Sequence, residues 1–99
     1  MKCEIFVKEH LPSIRAVLSN YLINYGMTQQ ETADRLYLSQ AAVALYKKQV
    51  RGKKVKELEE KPEVKKRLEE LAGILLSKSL MEDELDKEYC GLCRLILGQ

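Results

Sequence analysis

Residues 28–54 read TQQETADRLYLSQAAVALYKKQVRGKK, and the folding of this stretch decides how the rest of the chain is organised. Thr28 followed three residues later by Glu31 is a capping box, in which the hydroxyl takes a free backbone N–H and the carboxylate reaches back. It opens a short helix with Ala33 and Leu36 facing in. Tyr37, Leu38 and Ser39 break that helix, and Ser39 is placed to cap the next one. The second helix runs to about Lys48, with Ala42, Val43 and Tyr46 at helical spacing.

Two short capped helices joined by a tight turn form a helix-turn-helix pattern. Such a pattern imposes sizes. A small residue is needed where the helices cross, and Ala33 supplies it. Leu38, Val43 and Tyr46 then fill the wedge, which leaves Gln40, Ala41, Ala44, Leu45 and Lys48 on the outward face. Tyr37 stands where a turn of this kind usually has glycine. A tyrosine with positive φ is costly, which predicts a longer or distorted turn.

The flanks are helical too. Ile14, Val17, Leu18, Tyr21, Leu22 and Tyr25 follow an amphipathic period, with Pro12 in the first turn and Gly26 as the stop. Before it, CEIFV places Cys3, Ile5 and Val7 on one face of a short extended segment. Residues 51–53 read as a basic turn. After Pro62, Val64, Leu68, Leu71 and Leu75 step by 4, 3 and 4, a heptad-like seam. Met81, Leu85, Tyr89, Leu92 and Ile96 suggest a last helix or helical tail. The expected architecture is an all-α bundle of about five helices with a short N-terminal extended segment.

The net charge of +2 hides a segregation. Residues 1–46 carry four basic and four acidic side chains, and residues 57–99 carry seven basic and eleven acidic. Between them, Lys47, Lys48, Arg51, Lys53, Lys54 and Lys56 form a block with no acidic residue. Such a block is either a solvated loop or a phosphate-facing surface. No leader and no run approaching the ~20 apolar residues of a membrane span is visible, so a cytoplasmic protein is expected. Three cysteines in a reducing compartment argue against a disulfide framework.

With these residues in view, 28–54 resembles the lambda-repressor-like, XRE-type helix-turn-helix of bacterial and archaeal regulators, over about residues 12–54. CEIFVKEHLPSIRAVL at 3–18, SQAAV followed by a tyrosine and a basic glycine turn, and CGLCRLI at 90–96 extend the likeness. The whole chain looks similar to a group of predicted archaeal transcriptional regulators, which also occur fused ahead of thiamine-phosphate synthase-type domains. The resemblance implies a DNA-binding regulator. Gln29 would hold a phosphate. Ser39 and Gln40 would open the recognition helix, with Gln40 the best base-contacting candidate because a glutamine pairs bidentately with adenine. Ala41 and Ala44 would approach a thymine methyl, and Lys47, Lys48, Arg51, Lys53 and Lys54 would meet phosphates. Leu45 departs from the pattern, since related sequences often carry a polar base-contacting residue there.

On this division, 1–11 is an N-terminal extension, 12–54 the DNA-binding domain and 55–99 a C-terminal helical region for dimerisation. The seam over Val64–Leu75 fits either packing onto the first helix or a homodimer interface serving two half-sites of double-stranded DNA. Cys90 and Cys93, spaced C-x-x-C, suit a zinc or iron–sulfur site, a reversible disulfide, or plain thiols. Cys3 is a possible third ligand and His10 a conceivable fourth. Two rival functions follow: a protein-interaction module with Leu45 in an apolar patch, and a metal- or redox-sensing regulator using the cysteines. No Ser/His/Asp or paired-carboxylate arrangement points to an enzyme.

Overall fold

A computed structural model describes residues 6–49 and 53–98, without the side chains of residues 6, 7, 49, 53 and 54. Its elements are a π-helical turn Phe6–His10 and six helices. These are α1 Leu11–Asn24, α2 Gln29–Leu36, α3 Gln40–Gln49, α4 Lys53–Glu59, α5 Pro62–Ser77 and α6 Glu82–Leu97. No strand occurs among the described residues. The chain is all-helical, as expected, with two differences. Phe6–His10 coil directly into α1 instead of running extended, while residues 1–5 lie outside the described set. A widened turn there accommodates Pro12, whose ring would press on the carbonyl of residue 8 in a regular helix. The second difference is α4, which begins inside the expected basic turn because Val55 and Leu58 are both buried.

The ends of the helices follow from local chemistry. Gly26, at φ 109°, closes α1: Met27 N–H reaches Leu22 O and Gly26 N–H reaches Ile23 O, each at 3.0 Å. The Thr28 hydroxyl accepts the Glu31 N–H at 3.0 Å, and the Glu31 carboxylate accepts the Thr28 N–H at 3.1 Å, which completes the capping box. Tyr37 takes the left-handed position that ends α2, at φ 58°, ψ 44°. Leu38 N–H reaches Ala33 O at 2.9 Å, so the turn closes as it would with glycine and is neither lengthened nor broken. The Ser39 hydroxyl accepts the Ala42 N–H at 3.1 Å and starts α3.

One core joins both halves of the chain. Ile14, Val17, Leu18 and Leu22 of α1 meet Val64, Leu68, Leu71 and Leu75 of α5, with Leu85, Tyr89, Leu92 and Ile96 of α6 in the same cluster. The Val64–Leu75 seam is therefore used inside its own chain, every one of its four residues fully buried. Each such side chain contributes about 1.5–3 kcal/mol of burial, so exposing the seam to form a dimer would unmake the fold. α1 packs on α3, α4 and α5, and so forms the centre around which the α2–α3 pair and the C-terminal helices are arranged. A radius of gyration of 12.3 Å matches the ~13 Å of a single 100-residue domain.

Polar ties reinforce the arrangement. Arg67 and Glu88 pair between α5 and α6. Lys61 donates to the Ile96 carbonyl at 3.2 Å. Arg35 donates to the Leu75 carbonyl, one of the free carbonyls in the last turn of α5. The Tyr21 hydroxyl lies 3.4 Å from the Glu59 carboxylate; burial first, and that carboxylate second, push its pKa up to about 12.

Candidate nucleic-acid interface

The buried face of the α2–α3 pair is built as the spacing predicts. Ala33 and Leu36 of α2 and Val43 of α3 are buried, and Leu38 and Tyr46 are half-buried against the core. The apolar residues of α3 thus hold the helix down and leave its other face to solvent. On that face Gln40, Ala41, Lys47 and Lys48 are exposed, and Leu45 keeps 55% of its surface open. Ala44 sits half-buried rather than fully outward, because it borders the packed side.

The first turns of α2 and α3 lie side by side. Gln40 Nε2 donates to Gln30 Oε1 at 2.8 Å, across the turn, and Gln30 Nε2 donates to Asp34 Oδ1 at 3.0 Å. Gln29 and Ser39 are exposed beside them. Two capped helix starts in one place present free backbone N–H groups and the positive ends of two helix dipoles. That arrangement suits an anionic backbone. The Glu31 carboxylate tempers it: held by the Thr28 N–H and hydroxyl, its pKa lies below the ordinary value, so it stays charged.

The basic block follows α3 directly. Lys47 and Lys48 stand in the last turn of α3, and Lys56 is exposed on α4. Lys53 and Lys54 open α4, their side chains outside the described set, and Arg51 lies outside the described residues altogether. Gln30 and Asp34 are the site residues that the spacing of the motif does not announce. Their i, i+4 relation on α2 is legible, but the bond to Gln40 depends on how the helices cross.

The cysteines lie elsewhere. Cys90 is exposed and Cys93 half-buried, three residues apart on α6. Cys3 is outside the described residues. No group of three or more His, Cys, Asp or Glu that could hold a metal occurs among the described residues. No described helix is long and apolar enough to cross a membrane. Comparison with protein-family models, curated proteins and solved structures gives no match.

Proposed function

We propose that the chain is a DNA-binding transcriptional regulator of the lambda-repressor-like helix-turn-helix type, with α3 as the helix that enters the major groove. The observation that carries this reading is the Gln40–Gln30 bond at 2.8 Å, which joins the two capped helix starts beside an exposed, small-residue face. Gln40 reads a base, Ala41 and Leu45 approach thymine methyls, and Ala44 lets the helix lie close. Gln29 and the α2 start hold one phosphate, and Lys47, Lys48, Arg51, Lys53 and Lys54 hold others. The protein performs no catalysis of its own. It acts on DNA as a homodimer, through a surface other than the α5 seam.

Selection of bound duplexes from a random pool, followed by anisotropy titration across salt, tests this. Binding is expected to weaken steeply as salt rises. Failure to bind any duplex at about 50 mM salt would sink the reading. Leu45, more than half exposed, favours one rival: a protein-interaction module on the same helices. A Leu45→Asp variant that loses a protein partner and keeps its DNA affinity would establish it.

A further inference from the structure

Gln40, Gln30 and Asp34 form a directional chain. Gln40 Nε2 donates to Gln30 Oε1, and Gln30 Nε2 donates to Asp34 Oδ1. A carboxylate has only acceptors, whereas a glutamine amide has an acceptor on one side and two donors on the other. Asp34 therefore requires the Gln30 NH₂. The Gln30 oxygen is left toward α3, and it in turn requires the Gln40 NH₂. One acceptor at the far end sets the sense of both amides.

The sense decides what Gln40 has left. Among the described residues its Oε1 and one N–H have no partner, an acceptor beside a donor. Adenine presents the complement in the major groove: an N7 acceptor and an N6–H₂ donor. With the chain reversed, Gln40 would give its oxygen to Gln30 and keep two N–H groups. Two donors match guanine, whose N7 and O6 are both acceptors.

We propose that Asp34 is a specificity-determining residue which, acting through Gln30, sets Gln40 to read adenine rather than guanine. The inference rests on the DNA-binding reading of α3. The Asp34 side chain is exposed on α2 and belongs neither to the core nor to a cap; only its backbone carbonyl, which any substitution keeps, accepts the Tyr37 N–H that closes α2. Its replacement therefore leaves the fold in place.

The test compares Asp34→Asn, Gln40→Ala and the double variant on duplexes that differ only in adenine or guanine at the Gln40-dependent position. Asparagine offers both a donor and an acceptor, so the chain can run in either sense. The ratio of the two affinities is the readout, because loss of a carboxylate near DNA tightens binding to all sequences alike. Asp34→Asn should lower the adenine-over-guanine ratio about 2- to 10-fold, the range of one hydrogen bond. In the Gln40→Ala background it should leave the ratio unchanged. An unaltered ratio in Asp34→Asn, or an equal loss without Gln40, overturns the proposal alone. No DNA binding by the unaltered chain overturns the DNA-binding reading, and this one with it.

Discussion

The Tyr37 hydroxyl donates to the Leu80 carbonyl at 2.5 Å, so the turn between α2 and α3 is tied to the connection between α5 and α6. The tie explains a tyrosine at a left-handed position, where a non-glycine residue costs about 1–2 kcal/mol. A glycine there would relax the backbone and release the connection.

Tyr37→Phe keeps the strained backbone and removes only the hydrogen bond. It should lower stability by about 1 kcal/mol. Urea unfolding checks this: the midpoint should fall while the slope stays constant.

Leu68→Ala separates the two uses of the α5 seam. Leu68 is fully buried within its own chain, so truncation should cost about 2–5 kcal/mol of folding stability. Sedimentation should show no accompanying loss of self-association in the variant that remains folded. A wild-type unfolding midpoint joined to loss of a dimer would return the seam to the interface.

Two tyrosines set an alkaline limit. Burial pushes the Tyr89 hydroxyl up to about 12, with the Arg15 guanidinium opposing, and Tyr21 is likewise pushed up to about 12. Unfolded tyrosines ionise near ~10. Between these values the unfolded chain releases protons that the folded chain keeps. The stabilisation is therefore fully present below about pH 10 and is lost as pH rises toward about 12. Among the described residues the Tyr89 hydroxyl makes no hydrogen bond of regular geometry, and the Arg15 guanidinium bears on it. Tyr89→Phe should consequently be neutral or stabilising at pH 7, within ~1 kcal/mol, and should flatten the alkaline decline. Thermal melts across pH measure both effects.

On the proposed DNA-binding reading, Lys47 and Lys48 bear on affinity without selectivity. Replacing both by Ala should weaken binding to all duplexes alike and make the log–log salt dependence shallower by about 2, roughly one per phosphate contact. A change in sequence preference would mean that one of them reaches a base.

Much of this was legible because it rests on short-range rules. The Thr28–Glu31 box, the Ser39 cap and small Ala33 each depend on neighbours within a turn or two, and each stands where the spacing puts it. α4 was hidden because Val55 and Leu58 sit among five charged residues from 53 to 59, and two apolar positions make a faint period. Tyr37 misled for a different reason. Its partner lies 43 residues away, and propensity knows nothing of it. The α5 seam was visible, but a heptad pattern looks the same whether its partner is α1 or another chain. The site divides likewise. The outward residues of α3 follow from its period, whereas the link from Asp34 to Gln40 follows only from the crossing.

Tyr46 of α3 and Val55 of α4 both pack against the core, so the two helices that carry exposed Lys47, Lys48 and Lys56 are fixed to it on either side of the basic block. Folding of the apolar core thus holds clustered cations near one another, against their mutual repulsion. Added salt relieves that crowding in the isolated protein and so favours its native state, while it weakens the proposed hold on phosphate. Ionic strength thereby acts in opposite directions on the molecule and on its proposed complex.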